Sequence, residues 1–174
     1  GFVARDLDKM IDFYQRVLGM VLTDKGVYSR GGHIAFMSRD PSEHHQVVFA
    51  TGRTPDMRTT INQISFQVDS LEALRSYYSL LLEEKVEGLE PRNHGNTWSI
   101  YFLDPEGNRI ELYTPTPWHV EQPFGKLFDL NDSVDAVSLG VAQAMASKDD
   151  NHERVVAAIR YYFDAVDSAH HDFR

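Results

Sequence analysis

Asp104-Pro105-Glu106-Gly107-Asn108-Arg109-Ile110-Glu111-Leu112-Tyr113 organises the reading of the whole chain. Its first half is turn chemistry. Pro presets φ, Gly and Asn tolerate left-handed backbone, and an Asp side chain bonds nearby backbone amides. Its second half alternates, with Ile110 and Leu112 on one face and Arg109, Glu111 and Tyr113 on the other. That is the pattern of a half-buried strand. Thr97–Leu103, just upstream, is rich in aromatic and β-branched residues, so the segment predicts strand, turn, strand.

The same Asp-Pro dipeptide stands 64 residues earlier, at Asp40-Pro41. That shift also takes Phe2 to Phe66, Leu7 to Leu71, Phe13 to Tyr77, Tyr14 to Tyr78, Leu18 to Leu82 and Phe49 to Tyr113. Apolar residues meet apolar or aromatic ones without a gap, so the chain holds two copies of one module, 1–52 and 59–114. Each copy begins with an apolar stretch, Phe2-Val3 or 61–68. An amphipathic helix follows, with Leu7, Met10, Ile11, Tyr14 and Leu18 at helical spacing, then Leu71, Leu74, Tyr78 and Leu81. Asp6 and Asp69 or Ser70 are suitable N-caps, and Gly19 ends the first helix. Three strands complete each copy: 21–24, 33–38 and 46–50, then 85–89, 97–103 and 109–113. Gly31-Gly32 reads as a hairpin turn. The module is βαβββ, and the expected fold is α+β, two such modules forming an open mixed β-barrel over 1–115. An extended segment and two helices follow over 116–174, carrying Val134, Val137, Val141 and Met145, then Val155, Val156, Ile159, Phe163 and Val166.

Composition narrows the chemistry. The 174 residues contain no Cys, which removes thiolate metal sites, cysteine nucleophiles and disulfide frameworks. Any metal must take His, carboxylate or amide ligands. A net charge of −9 argues against a nucleic-acid partner, whose phosphates need clustered Lys and Arg. No apolar run approaches the roughly 18 residues of a membrane span. Gly1-Phe2-Val3-Ala4-Arg5 is not a signal peptide, and a cytoplasmic location is expected. The chain starts inside an apolar stretch without Met, so its front end looks clipped. Serine-nucleophile, phosphate-loop and zincin motifs are missing.

Paired βαβββ modules closed by 104–113 resemble the vicinal oxygen chelate superfamily, which includes glyoxalase I, bleomycin-resistance proteins and type I extradiol ring-cleaving dioxygenases. The resemblance covers about 1–113. More narrowly, Glu43-His44-His45-Gln46-Val47-Val48-Phe49 resembles the His-His strand of the extradiol enzymes. Asn93-His94-Gly95-Asn96, followed by Tyr101, resembles their His-x-Asn segment and active-site Tyr. The resemblance implies a metal-ligating carboxylate at Glu111 and a ligand at Gln63, where the dioxygenases have His and some glyoxalases Gln. It makes His45 an acid/base beside dioxygen, since imidazole moves protons near neutral pH. His94 and Tyr101 would bond the substrate hydroxyl. A surface position for His45, a turn for His94, simple packing for Tyr101, an ion pair with a barrel-lining Arg or an exposed face for Glu111, and a loss of metal affinity at Gln63 stay open. His33, His119, His152 and His170-His171 are read as structural or exposed.

Subtracting the offset from Gln63 gives a place two residues ahead of Gly1, where four-ligand glyoxalases carry a ligand and the dioxygenase pattern does not. The repeat pairs Glu111 with Val47, where four-ligand glyoxalases carry Glu, which favours an extradiol-type site. The expected function is a metal-dependent extradiol dioxygenase cleaving a catechol-type (biphenyl-diol-like) aromatic substrate with O2. Fe(II) is the expected metal, with Mn(II) or another divalent ion as the alternative. A glyoxalase-like lyase or isomerase on the same fold and a metal-free small-aromatic-ligand binding protein are the rivals. The apolar stripes of the tail helices suggest a homodimer.

Overall fold

The computed structural model describes residues 1–27, 31–116, 120 and 122–132. Both tail helices expected from the sequence lie outside these residues. Contacts group the chain into two units, 1–90 with 100–113, and 91–99 with 114–174. The elements are β1 (Phe2–Ala4), α1 (Leu7–Arg16), β2 (Val21–Val27), β3 (His33–Ser38), β4 (Val47–Thr51), β5 (Ile64–Gln67), α2 (Leu71–Glu83), β6 (Glu90–Asn93), β7 (Thr97–Leu103), β8 (Arg109–Pro115) and β9 (Lys126–Leu127). They make a four-stranded sheet, β1-β4-β3-β2, and a five-stranded sheet, β5-β8-β7-β6-β9. The two βαβββ modules are therefore present as two open, mixed sheets, and no closed barrel forms among the described residues.

Local chemistry explains both helices. The Asp6 side chain caps α1 by accepting from Lys9 N, and Ser70 caps α2 by accepting from Ala73 N. Of the two caps offered by the sequence for α2, Ser70 is the one used. α1 stops at Gly19, whose φ of 64° only glycine adopts without strain. Leu7, Met10, Ile11, Phe13 and Tyr14 form its buried face. Phe49 of β4 packs edge-on against the Tyr14 ring, centroids 4.8 Å apart, and Phe2 lies beside it at 5.6 Å.

Two expectations are corrected. The strand expected over 85–89 starts only at Glu90, because Lys85 and Gly88 take positive φ and turn the chain after α2. The offset of 64 also does not hold throughout. In the first module Phe2 pairs with Phe49, whereas Phe66 pairs with Leu112, one residue short of Tyr113. Glu111 therefore corresponds to Val48 and not to Val47. Both are apolar, so the contrast with four-ligand glyoxalases stands.

The Asp104–Asn108 turn joins the modules. Asp104 Oδ1 accepts from the backbone of Glu106 and Asn108, each at 2.9 Å, and Oδ2 accepts from Tyr14 at 3.3 Å. Burial, then the Asp104 charge, pushes the Tyr14 phenol well above its ordinary pKa. Glu106, itself buried, reaches the start of α1. It accepts from Arg5 N at 2.6 Å and Asp6 N at 3.0 Å, while Arg53 Nη1 donates to it at 3.1 Å. The repeat places Ser42 where Glu106 stands. There Asp40 is occupied within its own turn by the Ser42 amide and hydroxyl. A cleft of about 700 Å³, lined by Asp40, Phe66, Asp69 and Tyr77 among others, opens at that second joint.

Removing one partner of a buried pair leaves the other uncompensated, so Glu106→Ala is expected to cost about 3 kcal/mol. Ser42→Ala, at the open joint, is expected to cost under about 0.5 kcal/mol. Urea unfolding measures both, and equal losses would refute this account of the joint.

Candidate active site around Glu111

β5 and β8 run parallel, with Ser65 beside Glu111. Alternation then puts Gln63, Ser65 and Glu111 on one face, opposite Phe66 and Leu112. Glu111 is 7% exposed. A carboxylate so buried needs partners, because desolvation disfavours its charge. Three of them are neutral donors. Gln63 Nε2 donates to Oε2 at 2.8 Å and Ser65 Oγ donates to the same oxygen at 2.5 Å. The Tyr101 hydroxyl, arriving from β7, bonds both Glu111 and Gln63. Arg109 lays its guanidinium over the Tyr101 ring, 4.1 Å from the centroid.

Tyr101 has its pKa pushed up to about 12, first by burial and then by the hydrogen bond and charge of Glu111. Gln63 and Arg109 oppose the rise. The phenol is therefore a proton holder and hydrogen-bond donor at neutral pH.

Of the five expected site residues, the structure brings Gln63, Tyr101 and Glu111 together. His45 is exposed, just before β4, its Nδ1 2.9 Å from His44 Nδ1 and its ring edge-on to Phe36. On the face of β4 that it would continue, Phe49 packs against Tyr14 of α1. His94 belongs to the other unit. Its Nδ1 bonds the Phe124 carbonyl at 2.9 Å, and Gln122 Nε2 donates to its own carbonyl at 2.8 Å. Gly95 follows with φ 78°, and a Cβ there would meet Val120 at 2.4 Å, so the turn beside His94 requires glycine. Sequence reading missed Ser65 and gave Arg109 no role. Period two from Gln63 and from Glu111 points to both.

The donor set tests what metal could fit. Glu111 and Gln63 offer a carboxylate and an amide oxygen, two positions suited to a divalent cation that accepts oxygen ligands. Among the described residues no three His, Cys, Asp or Glu side chains come together as a metal-holding group. The pair thus fits part of such a site and does not reproduce a 2-His-1-carboxylate set.

The raised Tyr101 pKa has a consequence for stability. The unfolded chain ionises this phenol near its ordinary value of 10, and the folded chain only near 12. Its contribution is full below pH 10 and is lost as pH rises towards 12. Urea stability of the parent should fall over that window more steeply than that of Tyr101→Phe. Identical slopes would contradict the placement of Tyr101.

Comparison with known proteins gives this geometry a context. Residues 1–112 match the family described as the Glyoxalase/Bleomycin resistance protein/Dioxygenase superfamily. Biphenyl-2,3-diol 1,2-dioxygenase 2 of Rhodococcus globerulus is 31% identical over 110 residues, 60% of this chain and 55% of that protein. Biphenyl-2,3-diol 1,2-dioxygenase 3 of the same organism is 27% identical over 114 residues, 63% of this chain and 57% of that protein. The chain thus spans little more than half the length of these relatives. A solved structure of the genomically encoded fosfomycin resistance protein FosX from Listeria monocytogenes, complexed with Mn(II) and sulfate ion, has a TM-score of 0.52 at 23% identity. The match covers 67% of this chain and 88% of that one. A Frankia glyoxylase/bleomycin resistance protein/dioxygenase domain has a TM-score of 0.58 at 19% identity, covering 67% and 89%. These likenesses concern the fold. By the match over its first 112 residues, the chain belongs to the glyoxalase/bleomycin resistance protein/dioxygenase superfamily.

Proposed function

We propose that the chain is a divalent-metal-dependent, extradiol-type dioxygenase acting on a catechol-type aromatic diol. One observation carries the reading: a buried carboxylate, Glu111, shares a strand face with an amide ligand candidate and meets a protonated phenol. The likeness to two biphenyl-diol dioxygenases supports it. Glu111 and Gln63 would hold the cation, Fe(II) or alternatively Mn(II). When bound, it supplies Lewis acidity towards the diol oxygens and the electronic chemistry of O2.

The chain's own residues do the rest. Ser65 fixes one carboxylate oxygen of Glu111 at 2.5 Å and so sets the orientation of the other. Tyr101 keeps its proton, which rests on Glu111 and would turn to a diol oxygen when the substrate enters. His94, whose Nδ1 bonds the Phe124 carbonyl, is the proposed partner of a substrate hydroxyl. His45 is the proposed proton carrier on the O2 side. The proposal retains a catalytic region of 1–115, an extension over 116–174, a homodimer and a cytoplasmic setting. No helix among the described residues is long and apolar enough to cross a membrane.

A second reading, a metal-free binder of small aromatic ligands, is favoured by one observation. Gln63, Ser65 and Tyr101 each give Glu111 a neutral hydrogen-bond donor without any metal. Anaerobic iron loading followed by assay with catechol and 2,3-dihydroxybiphenyl separates the two. Dioxygenase action should release yellow ring-fission product, and Glu111→Ala should lower that activity by at least about 100-fold. Diol binding without product and with far-substoichiometric metal would establish the binder instead.

A further inference from the structure

We propose that Arg109 is a positioning residue, whose guanidinium holds the Tyr101 ring so that its hydroxyl stays on Glu111 and Gln63. The inference deepens the function proposed above and rests on it for its catalytic meaning. The geometry is specific. Arg109 opens β8, half-buried, two residues before Glu111 and on the same face. It could have served as a counter-ion for that carboxylate. Among the described residues its side chain makes no ion pair or hydrogen bond, and its cation lies over the Tyr101 ring at 4.1 Å. A planar, weakly hydrated guanidinium stacks on an aromatic face in a way that a lysine ammonium does not.

The contact has two consequences for the site. As a plate against one ring face, Arg109 removes the space through which the phenol could swing away from Glu111. As a cation over the π-system, it draws electron density from the phenol and makes its hydroxyl a better donor. The ring is held at the far end too, by the hydrogen bonds of its hydroxyl to Glu111 and Gln63. Removing the plate therefore opens space beside one ring face while the hydroxyl keeps its bonds to Glu111 and Gln63. Arg109 touches no reacting atom in this account. It acts through Tyr101.

The test uses the full chain labelled with 13Cζ-tyrosine, Arg109→Leu and Arg109→Lys, and Tyr101→Phe to assign the Tyr101 resonance among the eight tyrosines. Loss of a cation–aromatic contact of this kind should weaken catechol binding about tenfold in Arg109→Leu. The Tyr101 resonance should move in both variants while the other seven stay in place, with Lys recovering less than half of the lost affinity. An unmoved Tyr101 resonance would overturn the inference, as would unchanged catechol affinity in both variants of a protein that binds catechol. If the parent itself binds no catechol, the functional proposal fails, and the resonance alone still decides whether Arg109 positions Tyr101.

Discussion

One turn, Asp104–Asn108, carries the constraint on which the rest depends. Asp104 ties the turn to itself and to Tyr14 of α1, and Glu106 takes the amides of Arg5 and Asp6 with Arg53 as its cation. The same turn feeds directly into β8, where Arg109 and Glu111 stand one and three residues after it. Fixing the joint between the modules and fixing the height of the site are therefore one event. At the repeat-related joint, Ser42 is too short and uncharged to do what Glu106 does, and a cleft remains. The two copies share a fold while only one joint is closed.

The chemistry of the site follows from burying one carboxylate. Glu111 cannot keep its charge without partners, and the chain supplies an amide, a hydroxyl and a phenol. These three are neutral and accept no charge from it, so each holds the carboxylate by hydrogen bonding alone. The same charge pushes the Tyr101 proton on more firmly, which makes the phenol a lasting donor. Arg109 lies on the ring and limits that rise. Charge, proton and ring orientation are thus set by a few side chains on three neighbouring strands.

Much of this is legible in the sequence because local chemistry and tertiary packing agree. The βαβββ order, the Asp6 cap and the Gly19 stop are short-range effects. Glu111 stands out because a carboxylate between Ile110 and Leu112 on an alternating strand needs a reason to be there. Other features depend on pairing across the chain. The one-residue change of register at Phe66–Leu112 is invisible to a gap-free comparison, and it moves the counterpart of Glu111 from Val47 to Val48. The late start of β6 follows from positive φ at Lys85, a conformation that sequence rarely announces for Lys. Ser65 and Arg109 carry no motif of their own and matter only through what lies beside them.

The central claim is that Gln63 and Glu111 are two ligands of a divalent cation. Replacing Gln63 with His tests it most directly, because imidazole binds first-row transition metals more strongly than a neutral amide oxygen does. Titration of the parent, Gln63→His and Glu111→Gln with Fe(II) or Mn(II) under anaerobic conditions should show at least about tenfold tighter binding in Gln63→His. Binding should be lost in Glu111→Gln, with urea stability retained. Metal affinity that is indifferent to both substitutions would contradict the account.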